Sequence, residues 1–263
     1  MASDLPIGIF DSGVGGTSIW KEIEDLLPNE NTIYLADSKN APYGNRSVDE
    51  IISLCVKNTE LLLELNCKII VVACNTATTN AISFLRKNYQ IPFIGIEPAI
   101  KPAALMTNSN SIGILATRGT LNSQLFSTTS KEHTQGINIT EVIGEGLVQL
   151  IEQGKIDSQE MTDLLFKYLN PMLEKGIDHL VLGCSHYPYL IPKLKKIIPE
   201  TIQIIDSGEA VARQTKNILS QNHLLKNEKT TPYHRFYSNS TTSVIHELLN
   251  DHADLISVEK KDF

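Results

Sequence analysis

Two stretches decide the fold: "VVACNTATT" at residues 71–79 and "LVLGCSHYP" at residues 180–188. Each passes from an apolar, β-branched run into a cysteine, Cys74 or Cys184, and then into short polar residues. A short apolar run closed by turn-forming residues is the pattern of a strand buried on both faces, as in a parallel sheet. The pattern recurs at 6–13 ("PIGIFDSG"), 32–38 ("TIYLADS"), 91–98 ("IPFIGIEP"), 111–119 ("SIGILATRG"), 138–144 ("NITEVIG") and 202–210 ("IQIIDSGEA"). Amphipathic stretches lie between the strands. "TSIWKEIEDLLP" (17–28) and "VDEIISLCVKNTELLLEL" (48–65) carry apolar residues at helical spacing. Strands alternating with helices predict an α/β fold, with parallel sheets flanked by helices.

The two halves of the chain resemble each other. "IGIFDSGVGGTS" starts at Ile7 and "IGILATRGTLNS" at Ile112, an offset of 105. The two cysteines are 110 apart, and Ile91 and Ile202 open similar strands 111 apart. Three pairs in one order at a nearly constant offset predict two pseudo-symmetric lobes. The expected first lobe is 1–98 plus 208–263 and the second 99–207, with the active site in the cleft between them. The tail from about 214 reads as a helix and a strand packed on the first lobe.

Composition narrows the function. A chain of 263 residues with 41% hydrophobic residues can bury a large core, and its formal net charge of −7 argues against nucleic acid or an anionic membrane as partner. No apolar stretch approaches the roughly 18 residues of a membrane span, and the N-terminus lacks a secretory pattern. Four cysteines are too few for a disulfide scaffold, so a cytoplasmic protein with reduced thiols is expected.

Cys55, inside a helical pattern, and Cys67, in the turn "LNCK", read as structural. Cys74 and Cys184 end strands, where open parallel sheets bind ligands. The residues after them (Asn75, Thr76, Ser185, His186) can start helices, whose free N–H groups attract carboxylates and lower thiol pKa values. A disulfide leaves these polar flanks without a task. A metal needs more soft ligands than two cysteines and His186 supply, and no CxxC spacing occurs. A Cys184–His186 hydrolase leaves Cys74 idle. Two thiols on either side of one carbon have a simpler use: a thiolate removes a proton from one face while a thiol delivers one to the other. Contacts of about 3–3.5 Å on each side would hold the sulfurs roughly 7 Å apart.

With these residues in place the sequence resembles the glutamate racemase family, within the cofactor-independent aspartate/glutamate racemase superfamily. The resemblance rests on "GIFDSGVGGTS", "YLADSKNAPYG", "VVACNTATT", "IGIEPA", "IGILATRGT", "LVLGCSHYP" and "IIDSGEA", in the family's order over residues 6–213. It implies that Cys74 and Cys184 are the acid/base pair, that Asp11 and Ser12 lie beside the first cysteine and the substrate, and that Tyr43 and Gly44 form a substrate-contacting turn. Asn75 and Thr76 would hold the substrate's α-carboxylate and amino group, Thr117 would line the pocket, and Ser185 and His186 would support the second cysteine. The family usually has threonine at Ser185. Glu152 of "IEQG" aligns with a glutamate that assists the second cysteine, but Gly144 stands where the family carries a further cysteine, and Glu145 is a rival for the role. Also implied are a homodimer, glutamate as substrate, no cofactor, no metal, and D-glutamate supplied to peptidoglycan. The alternatives are an aspartate racemase and a non-catalytic binding or regulatory protein on the same scaffold.

Overall fold

The computed structural model describes residues 2–226 and 231–263. All eight expected strands form: β1 (Ile7–Asp11), β2 (Thr32–Ala36), β3 (Ile69–Val72), β4 (Phe93–Gly95), β5 (Ser111–Ala116), β6 (Asn138–Ile143), β7 (His179–Gly183) and β8 (Gln203–Ile205). Two more follow, β9 (His234–Ser238) and β10 (Ile256–Lys260). The strands make two sheets, ordered β10-β9-β2-β1-β3-β4 and β6-β5-β7-β8, and every pairing is parallel. Without β9 and β10 the two orders are the same, so the repeat seen in the sequence is a repeat of topology.

The tail differs from expectation. It holds two strands and the short helix Ser243–Leu248, where one strand was expected, and residues 227–230 of it lie outside the described residues. The extra strand reads "HRFYS", aromatic and cationic rather than Val/Ile-rich, and it gains its place by pairing with β2 on one side and β10 on the other. Phe236 of β9 stacks on Tyr34 of β2 with ring centroids 5.2 Å apart, which ties the tail to the first sheet.

Burial follows the pleat. Ile7 and Ile9 of β1 and Ile69 and Val71 of β3 point into one apolar cluster, which continues beneath the second sheet through Leu115, Leu180 and Leu182. Phe10, Ile70 and Val72 face the opposite side, against Ile51, Cys55 and Leu62 of the helix Val48–Glu64. That helix starts at a capping box, in which Ser47 and Glu50 satisfy each other's backbone N–H groups. It ends at Asn66, whose φ of 58° closes the last turn. Cys55 and Cys67 are packed into this cluster, and burial raises both thiols, that of Cys67 to about 12. All four cysteines are free. Among the described residues no helix is long and apolar enough to cross a membrane.

Register sets up the site. Phe10 pairs with Val72, and one step on Ala73 N–H donates to the Phe10 carbonyl at 2.8 Å. Asp11 and Cys74 therefore leave the first sheet together. In the second sheet Ala116 pairs with Gly183, so Thr117 and Cys184 also emerge side by side. These are the strand pairs at which the chain's direction of winding reverses, where open α/β sheets place their ligands.

At the opposite end of the first sheet, the Lys68 ammonium meets the Glu30 carboxylate at 2.5 Å with both side chains buried. Removing one partner strands the other charge. Lys68→Met should lower stability by about 3–5 kcal/mol, read from urea unfolding. A loss below about 1 kcal/mol would mean that the pair does not hold this end of the fold.

Candidate active site

Cys74 is the N-cap of the helix Asn75–Asn88. Its extended backbone (φ −116°, ψ 121°) turns the chain out of β3, and its sulfur accepts from Ala77 N–H at 3.5 Å. The Cys74 thiol donates to Ser12 Oγ at 3.6 Å. A helix start was expected to lower this thiol's pKa. Instead burial, with the Asp11 charge added, holds it well above the ordinary value and outweighs the Ala77 and Ser12 hydrogen bonds. Cys74 thus rests as a thiol, the form that gives a proton. Asp11 is itself pushed up by burial, against the pull of His186 and of Gly16 N–H, which donates to Oδ2 at 2.9 Å. Ser185 Oγ donates to the other Asp11 oxygen at 3.2 Å.

The second thiol is built differently. No α-helix opens after Cys184. The chain turns into a 3-10 segment at Tyr187–Leu190, and an α-helix begins only at Ile191, because Pro188 and Pro192 withhold N–H donors. The turn leaves His186 Nδ1 3.8 Å from Cys184 Sγ. Nε2 lies 2.6 Å from Glu152 Oε1. Gly15 N–H also lies 3.2 Å from Nε2, but the carboxylate is nearer and charged, so it decides the tautomer: Nε2 carries the proton. In the neutral imidazole this leaves the Nδ1 lone pair facing the Cys184 thiol, and taking that thiol's proton makes the imidazolium. Burial works against a charged imidazole. The hydrogen bonds to Cys184 and Glu152 and the Asp11 carboxylate overcome it and hold the His186 pKa well above its usual value.

Glu152 reaches this position from the end of the helix Leu147–Glu152. Besides His186, it accepts from Val14 N–H at 2.6 Å and from Ser38 Oγ at 2.9 Å, both carried by the first sheet's loops. Glu145, the rival, is exposed and pairs with Arg118 instead. The departure at Gly144 also has a physical cause: a Cβ there would meet the Tyr187 hydroxyl at 2.3 Å, and that hydroxyl donates to the Gly144 carbonyl. The loop "GVGG" closes the arrangement from the other side. A Cβ on Gly13 would fall 1.9 Å from Glu152 Oε1, and one on Gly15 would fall 2.1 Å from His186 Nδ1. Glycine is required there because the second sheet's side chains lie directly on the backbone.

Both thiols line one narrow cavity, with Ser12, Tyr43, Gly44, Asn75, Thr76, Thr117, Ser185 and His186 in its wall. Thr76 and Thr117 join hydroxyls across the two sheets at 2.8 Å. The Asn75 amide lies buried in this wall with neither its oxygen nor its nitrogen bonded. Tyr43 lies in the wall, but its hydroxyl turns outward to donate to Asp37 at 2.5 Å, so the turn meets the cavity through its ring and Gly44. Asp11 and Glu152 stand behind the wall, against His186. Sequence reasoning missed several contributors, Pro42 of the wall among them. Ser38 lies inside "YLADSKNAPYG" and could have been flagged. Val148, a lining residue, and Tyr189, whose hydroxyl meets Thr17 Oγ1 at 2.5 Å, carry no local signal. The described residues also bring Glu24, Asp25 and His252 together, away from this cavity.

Two parallel sheets of one topology, with a thiol from each in one cavity, define a two-thiol α/β protein. The chain belongs to the Asp/Glu/Hydantoin racemase family, whose profile matches residues 7–215. A glutamate racemase from Ectopseudomonas mendocina is 46% identical over 224 residues, 85% of this chain and 85% of that protein. Among solved structures, a glutamate racemase isoform from Bacillus anthracis superposes with a TM-score of 0.86 at 32% identity, covering 99% of this chain and 98% of that one. The Escherichia coli glutamate racemase, solved with L-glutamate and the activator UDP-MurNAc-Ala, gives 0.85 at 33% identity, with 98% of each chain covered.

The carboxylate–imidazole contact can be tested without turnover. Replacing Glu152 by Gln removes a charge that favours the imidazolium, so the His186 titration followed by NMR should move down toward about 6.5. An unmoved titration would show that Glu152 does not set the state of His186.

Proposed function

We propose that this chain interconverts L- and D-glutamate by two-thiol acid/base catalysis and supplies D-glutamate to peptidoglycan. The observation that carries the reading is the pair of thiols at equivalent strand ends in one cavity, beside an amide without partners. His186 takes the Cys184 proton at Nδ1, and Glu152 balances the imidazolium. The Cys184 thiolate removes the Cα proton of L-glutamate, and the Cys74 thiol protonates the opposite face of the carbanion. In the reverse direction Asp11 accepts the Cys74 proton, and the Cys74 thiolate removes the Cα proton of D-glutamate. Asn75, Thr76 and Thr117 hold the substrate's α-carboxylate and amino group. Ser12, Ser185 and the Tyr43–Gly44 turn complete the pocket. The chemistry asks for no cofactor and no metal, because the proton donor and acceptor are both side chains.

The lobes proposed are residues 1–98 with 208–263, and residues 99–207. The packing of the helix Gly208–Gln221 against the helix Thr17–Leu26 supports the return near 208. A cytoplasmic homodimer completes the reading, and sedimentation velocity tests the dimer. Glutamate is preferred to aspartate because relatives sharing 40–46% of their residues with this chain are glutamate racemases. The decisive assay incubates the purified chain with L-glutamate or L-aspartate, without added cofactor, and measures the D-enantiomer. Turnover of aspartate alone, or of neither, overturns the reading.

Either cysteine changed to alanine should lower racemisation by at least about a thousandfold, since a proton donor and an acceptor are both needed. Substrates that expel a β-leaving group after deprotonation separate the thiols: Cys184→Ala should still process the D-form and Cys74→Ala the L-form. Near wild-type racemisation by either variant would sink the mechanism.

A further inference from the structure

We propose that Arg118 guides the acidic substrate into the cavity and that Glu145 tempers its pull. The inference rests on the racemase reading above. The cavity that holds the thiols adjoins a wider outer one of about 150 Å³, and the two share Pro42, Gly44, Thr117 and Val148 in their walls. Arg118 and Glu145 stand on the outer wall, paired with each other, with 51% and 61% of their side chains exposed.

The charge pattern gives the pair its meaning. A dicarboxylic amino acid carries net charge −1 at neutral pH, and this chain carries −7. In the inner wall the one side chain able to hold positive charge is His186, and the Asp11 and Glu152 carboxylates lie against it. Among the described residues neither wall contains a lysine, and Arg118 is the one arginine in either. An incoming carboxylate therefore meets one strong attractor on its way. Exposed ion pairs are weakly held, so the substrate carboxylate can take the place of Glu145 on the guanidinium fork, drawn by its positive charge. Once past Thr117 the substrate leaves Arg118 behind, and the chemical step does not involve it. Glu145 competes for the same fork and keeps the cation from trapping other anions.

Steady-state kinetics of the full chain test this in both reaction directions. Arg118→Gln should raise KM about threefold to tenfold, the effect of one charge several ångströms away in a wet cleft, with kcat within roughly twofold. Arg118→Lys should restore KM, and Glu145→Gln should lower it below the wild-type value. The KM ratio of Arg118→Gln to wild type should shrink toward one as salt rises from about 20 to 500 mM, where screening shortens to a few ångströms. A lysine variant as impaired as the glutamine one, a raised KM in Glu145→Gln, or a KM ratio indifferent to salt would overturn the inference alone. Absence of glutamate racemisation by the wild-type chain would overturn the functional reading, and this inference with it.

Discussion

One carboxylate ties the site together. Glu152 accepts from a backbone N–H at Val14, a hydroxyl at Ser38 and the imidazole of His186, so three segments from two sheets converge on two oxygens. A carboxylate largely withdrawn from water is costly unless its lone pairs are used, and here they are used by groups that must all be present at once. The orientation of His186, and through it the state of Cys184, depends on the first sheet's loop being in place. The geometry of the proposed site is thus a property of the two sheets held together rather than of either alone.

The frame is symmetric but the chemistry placed on it is not. β3 and β7 occupy the same position in their sheets and both end at a cysteine. Past that point local sequence takes over. Asn75 and Thr76 continue into a helix whose first turn approaches the Cys74 sulfur, whereas Pro188 holds the second chain in a tighter coil that aims an imidazole at Cys184. One thiol sits beside a carboxylate, the other beside a base. In the proposed reaction each of these settings would serve one direction, since the two reactants present the Cα hydrogen to opposite faces.

Much of this was legible in the sequence, for a definite reason. Parallel strands buried on both faces leave continuous Val/Ile runs, and the eight that did so were found. The ninth, "HRFYS", was not, because its stability comes from partners far along the chain. The cysteines stood out through their matching surroundings, and Asp11, Ser12, Asn75, Thr76 and Thr117 through short motifs at strand ends. Glu152 and Glu145 could not be told apart, since seven residues on a helical stretch separate them by only two turns. Glu152 is set apart by contacts with loops more than a hundred residues away, whereas Glu145 pairs with the nearby Arg118. The outward turn of the Tyr43 hydroxyl is equally invisible, because Asp37, its acceptor, announces nothing in sequence.

The bare backbone at Gly13 and Gly15 has a consequence for how this sequence can drift. Each glycine and the side chain seated on it, Glu152 or His186, occupy a single volume shared by two distant parts of the gene. Neither member can change size while the other stays as it is. A descendant that acquires even a methyl group at Gly13 must shorten or swing away its residue 152 in the same step, and the two positions should be inherited as a pair.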